Sequence, residues 1–344
     1  RLDSISSITA DASNTTGLSI PTGAVSSSKQ LATQISGSFT SGFTVGGDIT
    51  SIEPTFAYTT PAVNAQIRWR GASGIQNAGL AFGGETVPAR VGLTETFDGT
   101  TWTEVNDLIT NGPTVGGGTV NATVAFGGWY RSTCTETWDG TSWTEVNNLI
   151  TSRDSTMNPI KMSHSQNAAL AAGSVPGGSP SVATEEWNGT NWSTSNDLIK
   201  GMKCADGFGT PAGGVAIGTA WPSTPFTTNN AVLWNGLNWS EGPLLPPSGD
   251  FVRMTNAGTA GAENDGIVAG QCQYQSSYKA GTACYNGISF NLGNDLPTAC
   301  AFHRGAGTNV ANAWFVGGTY PSVPNYHGCG FTVSSGIATA SFSH

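Results

Sequence analysis

The sequence predicts an all-β propeller, a closed ring of four-stranded blades. Three observations predict it. A nine-residue unit, built around Asp-Gly or Asn-Gly in all but its last copy, recurs six times. A short apolar strand ending in Gly precedes each copy. The composition also opposes helix: of 344 residues, 47 are Gly, 35 Ser and 44 Thr, and Gly and Thr are poor helix formers.

Composition and charge narrow the function classes. Lys and Arg number 13 against 22 Asp and Glu, giving a net charge of −9. No Lys/Arg cluster occurs, so no nucleic acid partner is expected. No apolar run approaches the roughly 20 residues of a membrane helix, so no membrane insertion is expected. The 11 Trp and 14 Phe argue against disorder, because disordered chains lack core-forming aromatics. The first residues, Arg1-Leu2-Asp3, open no apolar h-region, so no signal peptide is expected there.

The repeat reads Thr94-Glu95-Thr96-Phe97-Asp98-Gly99-Thr100-Thr101-Trp102 in its first copy. It returns around Trp138 and Trp143, then around Trp187 and Trp192. Weaker copies place Trp234 with Trp239 and Tyr285 with Phe290, and the most degenerate places Tyr326 with Phe331. Successive first aromatics are 41, 49, 47, 51 and 41 residues apart. Asp-Gly and Asn-Gly favour tight turns with positive φ, so each copy is a β-hairpin. A two-residue loop pairs Phe97 with Thr100; a four-residue loop sets Phe97 opposite Trp102. In either register both aromatics share one face, which must be buried.

The strand before each hairpin is Leu80–Gly84, Val124–Gly128, Leu170–Gly173, Val215–Gly218, Ile267–Gly270 or Trp314–Gly318. Runs without alternation fit strands buried on both faces. Asn77, Asn121, Asn167 and Asn264 each stand three residues ahead, as turn residues would. One further strand precedes, such as Gln66–Gly71. Four strands in a period of about 40–50 residues is the signature of a propeller blade. Six copies predict six blades. Seven is the alternative, because Phe43–Gly47 echoes the inner strand, although Tyr58 and Trp69 substitute poorly for its hairpin aromatics. Residues 1–61 are read as a Ser/Thr-rich attachment arm or small β element, 62–335 as the propeller and 336–344 as a tail.

An apolar strand ending in Gly-Gly, then an aromatic, then a Trp before a Leu-bearing link resembles the kelch repeat over residues 62–335. Leu108, Leu149, Leu198, Leu244 and Leu296 are the link residues. The double Gly shrinks to one in blades three to five, and the two aromatics stand closer than is usual in kelch repeats. The wording of 184–192 and 76–84 further resembles kelch-like repeats in virion proteins of marine tailed phages. That resemblance implies a structural or appendage protein of the tail or fibre, on the virion surface or otherwise extracellular.

Catalytic chemistry is sparse. His164, His303, His327 and His344 form no HxH or HExxH pair. His327 fills a turn slot, and His303 beside Arg304 is the candidate pore residue. No Gly-x-Ser-x-Gly elbow and no calcium loop of the Asp-x-Asp-x-Asp-Gly type occurs. The recurring acids Glu95, Glu136, Glu185, Asp98 and Asp139 repeat with the fold, whereas catalysis needs one asymmetric site, so they are read as structural. No enzyme, metal or cofactor is expected. No CxxC occurs among the six cysteines. Cys272 and Cys284 flank Ser276–Tyr278 and are a candidate disulfide across a hairpin; the alternative is buried thiols. Sequons at Asn14, Asn121, Asn188, Asn191 and Asn238 are read mainly as turn chemistry.

The loops after the inner strands must share one rim of the ring. They carry Trp129, Tyr130 and Arg131, then Trp221, Tyr274, Tyr278 and Tyr320. Flat rings beside Arg, Gln and Asn suit sugar stacking or polar recognition; the alternative is packing against neighbouring blades. The expectation is therefore a non-enzymatic propeller of a phage virion, binding host-surface glycan or protein. Residues 1–61 would attach it to other virion proteins or to itself. A secreted lectin-like adhesin is the second reading, and a carbohydrate-active or copper-oxidase-type enzyme the third.

Overall fold

The computed structural model describes residues 55–58, 67–86, 89–131, 133–153, 159–174, 181–220, 230–246, 257–273, 277–296, 299–319 and 329–334. All of them belong to one compact unit, Ile52–Thr339. They form four-stranded antiparallel sheets, with a single short 3-10 turn at Val310–Asn312.

Five sheets are each built from four consecutive strands. The strands are β2 (Gly71–Ile75), β3 (Ala78–Phe82), β4 (Thr94–Phe97) and β5 (Trp102–Val105) in the first. The second holds β6 (Val115–Thr119), β7 (Ala122–Phe126), β8 (Thr135–Trp138) and β9 (Trp143–Glu145). The third holds β10 (Ile160–Ser165), β11 (Ala168–Ala172), β12 (Thr184–Trp187) and β13 (Trp192–Ser195). The fourth holds β14 (Met202–Thr210), β15 (Gly213–Ala220), β16 (Asn230–Trp234) and β17 (Trp239–Leu244). The fifth holds β18 (Gly258–Ala262), β19 (Asp265–Gln273), β20 (Ser277–Tyr285) and β21 (Phe290–Gly293).

The remaining sheet is composite. Its order is β1-β24-β23-β22, where β22 is Ala301–Ala306, β23 Trp314–Thr319, β24 Cys329–Ser334 and β1 Thr55–Tyr58. First strands contact one another in sequence order, and β22 returns to β2. The sheets are therefore blades of a closed propeller, with the shortest strand-to-strand path around the axis made by the innermost strands. Closure gives every blade a neighbour on both faces and leaves only short outer edge strands.

The expectation of six or seven blades, each from one contiguous repeat, is corrected in its construction: five blades are contiguous, and the ring closes through a composite sheet that draws its outer strand from residues 55–58, which the sequence assigned to the arm. The sixth hairpin does not follow the repeat: Phe331 lies in the third strand, opposite Phe315 and Tyr58. Residues 1–54, including the Phe43–Gly47 echo, lie outside the described residues, as do Tyr326, His327 and the 335–344 tail. Ile67–Arg70 also precede β2 rather than forming its strand.

The hairpin register is the four-residue one. Phe97 faces Trp102, Trp138 faces Trp143, Trp187 faces Trp192, Trp234 faces Trp239 and Tyr285 faces Phe290. Asp98 shapes the first loop by accepting the Thr100 and Thr101 N–H groups at 2.8 and 2.7 Å. These bonds hold its carboxyl below the usual carboxylate range. Gly99 takes φ +94° there, and its turn packs on Asn77, which an added Cβ would approach to 3.1 Å.

The core lies between blades. Leu80, Phe82 and Leu108 of the first blade and its link pack against Ala125, Trp138 and Trp143 of the second. Phe126 and Leu149 meet Trp187 and Trp192 in the same way, and Leu170 and Leu198 meet Trp234 and Trp239. At the closure, Phe97 and Trp102 pack against Trp314 and Val316. The strand runs without alternation are thus buried on both faces, once per interface. In the fourth link the buried residue is Leu245; Leu244, expected from the repeat, is 60% exposed.

Candidate functional site

The inner strands end in Gly because the chain turns sharply there. Gly127 and Gly128 follow β7 with φ +56° and +106°. A Cβ on Gly128 would stand 2.1 Å from Pro113 O. The chain then enters a turn in which the Arg131 N–H donates to Gly128 O at 3.1 Å. Tyr130 occupies the left-handed region of that turn, with φ +68°. This lifts its ring onto the rim, where it is 45% exposed.

The rim aromatics form a cluster with residues that the sequence did not single out as site residues. Trp129 stacks on Tyr130, with centroids 4.6 Å apart and ring planes 26° apart. Trp129 also meets Trp69 edge-on at 5.4 Å. The Arg90 guanidinium lies 3.0 Å from the Tyr130 centroid, and that of Arg68 lies 3.9 Å from the Trp69 centroid. Arg68 is tied to Glu85 by an ion pair at 3.1 Å. Trp69 is itself left-handed, with φ +56°. The sequence treated Trp69 only as a poor hairpin aromatic. The Arg68-Trp69-Arg70 triplet immediately before a blade was the available signal.

Arg131 departs from its expected role. It points inward, is 2% exposed, and pairs with Glu136 Oε1 at 2.9 Å while also donating to Thr110 O. Two more of the recurring acids do the same. Glu95 pairs with Arg70, and Glu185 with Arg153 Nη2 at 2.9 Å. Glu136 also accepts the Ile109 and Thr110 N–H groups at 2.8 and 3.0 Å, and Glu185 those of Ile150 and Thr151 at 2.7 and 3.0 Å. These carboxylates therefore fasten the link from the preceding blade. Buried charges need such pairing to persist.

His303 does not line a pore. It is fully buried, edge-on to Phe315 at 5.5 Å, and its Nδ1 lies 3.6 Å from Cys300 Sγ. Burial pushes its pKa down to about 4. The candidate disulfide is also corrected. Cys272 is opposite Tyr278 and Cys284 opposite Ile267, five strand positions away, and Cys284 is a free thiol. At about 3.3 Å per residue that separation far exceeds the Cα spacing a disulfide tolerates. Trp221, Tyr274 and Tyr320 lie outside the described residues, and Tyr278 is placed by its backbone alone, in β20.

Among the described residues, no group of three or more His, Cys, Asp or Glu side chains stands together as metal ligands would. Nor is any helix among them long and apolar enough to cross a membrane.

Comparison with solved structures matches the chain to one described as the structure of YjhT, with a TM-score of 0.58 and 11% sequence identity. The match covers 78% of this chain and 95% of that one. The likeness is one of fold. At this identity it carries the propeller and nothing finer, neither a kelch ancestry nor a phage origin. No family model matches the chain, and no curated protein matches it.

Proposed function

We propose that this chain is a non-catalytic recognition module, a kelch-like propeller in a virion appendage of a tailed phage. In this reading it decorates or joins the particle at its surface and meets another protein through the Trp129–Tyr130 rim, with the buried Trp69 packed edge-on against Trp129. The observation that carries the reading is the preassembled stack of Arg90, Tyr130 and Trp129. A guanidinium at 3.0 Å and an indole at 4.6 Å both lie against the Tyr130 ring. The Tyr130 ring is thus held in a composite surface with Arg90 and Trp129 rather than standing alone as a platform for a sugar ring. Tyr, Trp and Arg held rigid at a surface are the composition of protein-interface hot spots. Little side-chain entropy remains to be lost on binding. The virion setting rests on the wording of the repeat.

The test is a binding measurement on the full chain, because residues 55–58 complete the ring. Wild type and the Trp129→Ala/Tyr130→Ala variant are compared against disrupted virion proteins, host cells and their purified surface glycans. Saturable binding to a virion protein, weakened at least tenfold in the variant, supports the reading. Binding to glycan alone moves the chain to the adhesin class. Binding unchanged in a folded variant removes the rim from the mechanism.

A further inference from the structure

The innermost strands surround a narrow axial cavity of about 10 Å³, room for roughly one water molecule. Backbone forms much of its wall, with Gly74, Gly118, Gly209 and Gly261 all contributing. Two ionisable side chains also line it, Lys161 and His164, both from β10. His164 Nε2 donates to Gly261 O on β18 at 3.0 Å, reaching past the intervening blade.

Lys161 is 6% exposed, and its Nζ makes one hydrogen bond, to Gly305 O on β22 at 2.8 Å. An ammonium carries three donors, so two are left without an acceptor among the described residues. Next to Gly305 stands Arg304, 3% exposed. Its Nη1 donates to His303 O at 3.2 Å, and its Nε has no hydrogen-bond partner. Among the described residues, neither cation forms an ion pair.

Asp206 on β14 is buried too, but its oxygens are engaged elsewhere. They accept the N–H groups of Gly207 at 2.9 Å and Thr259 at 3.2 Å. Asp206 attracts Lys161 and Arg304 repels it, while burial lowers the pKa of the lysine. The layer thus buries two cations and one carboxylate, and Lys161 is the one of the three that also lines the cavity. A water there would satisfy donors and leave one positive charge uncompensated. Buried charges are stabilised by pairing, and uncompensated ones are costly.

We propose that the axial cavity binds one small monovalent anion of halide size against the Lys161 ammonium. The space is too small for a phosphate or a carboxylate ligand. The anion is a structural ion of the ring, independent of the rim and of its partner.

Crystals of the full chain grown in bromide test this by anomalous scattering. One bromide peak beside Lys161 Nζ is expected; a water in that density overturns the proposal. In solution, chloride is titrated against gluconate at constant ionic strength. A saturable rise in Tm of about 1–3 °C is expected for chloride alone. Lys161→Met should abolish the response. Equal Tm in both salts overturns the proposal even with bromide in the crystal, since that would be binding at crystal concentration only. An undiminished response in the variant also overturns it. If the variant does not fold, the wild-type crystal and titration decide.

Discussion

Trp143 donates its indole N–H to Thr94 Oγ1, one blade back, at 3.0 Å. Trp192 does the same to Thr135 at 3.0 Å, and Trp239 to Thr184 at 3.1 Å. The first residue of one repeat therefore receives the last residue of the next. The first Trp of each of these pairs is satisfied within its own blade: Trp138 donates to Val120 O at 3.0 Å, Trp187 to Gln166 O at 2.9 Å and Trp234 to Pro211 O at 2.7 Å. The buried aromatics thus carry blade-to-blade hydrogen bonds along with their apolar area. Thr94→Val keeps the shape and removes the acceptor. It should lower stability by about 1–3 kcal/mol, since a buried indole N–H is left unsatisfied. A urea titration should show a lower midpoint with an unchanged slope. An unchanged midpoint would mean that the bond contributes nothing net.

The Arg131–Glu136 pair joins a rim loop, a strand and the preceding link through one carboxylate. Breaking it singly leaves an uncompensated buried charge. Arg131→Met or Glu136→Gln should each cost about 3–5 kcal/mol. The double variant should recover much of that loss, because both charges are then gone. Thermal unfolding of the four proteins forms the cycle. Additive losses would show that the pair is not coupled.

Much of this architecture is legible in the sequence, for physical reasons. Asp98-Gly99 with Phe97 and Trp102 specifies a hairpin with one buried face, because turn chemistry and side-chain alternation are local. Leu80–Phe82 reads as doubly buried because nothing polar interrupts it. What could not be read depends on distant partners. The guanidinium opposite each recurring Glu comes from a different place each time: Arg70 just before β2, Arg131 in the loop after β7, and Arg153 in the link before β10. No fixed spacing marks such a residue. Closure through Thr55–Tyr58 is hidden likewise, because an edge strand needs only backbone pairing to join β24. Trp69 joins the rim through a left-handed turn that a non-Gly residue rarely adopts.

Cys284 supplies a chemical check on the fifth blade. Burial pushes its thiol pKa from 9.0 up to about 12, which lowers the thiolate fraction at neutral pH by about a thousandfold. In the native protein its alkylation should be slower than that of an ordinary cysteine by a factor of that order. It should become fast on unfolding. Peptide mapping without reductant should find Cys284 free. Native-state alkylation at the unfolded rate would place the thiol in solvent, and a mapped Cys272–Cys284 bridge would contradict the register.

His303 sets the acid limit of the ring. Its ordinary pKa is 6.5 and its folded value is about 4, because burial disfavours the imidazolium. Between these values the unfolded chain binds more protons than the native one, so stability falls as pH drops. The contribution is intact above about pH 6.5 and lost progressively towards pH 4. For a shift of this size it amounts to about 3 kcal/mol. Burial lowers the pKa of His164 as well, so its effect has the same sign. Denaturant midpoints from pH 7.5 to 4 should therefore decline for wild type. In His303→Leu the decline should be shallower, whatever the variant's absolute stability, with the residual slope carried by His164 and, nearest pH 4, by carboxylates such as Asp98. A parallel decline in the variant would mean that other groups control the acid response.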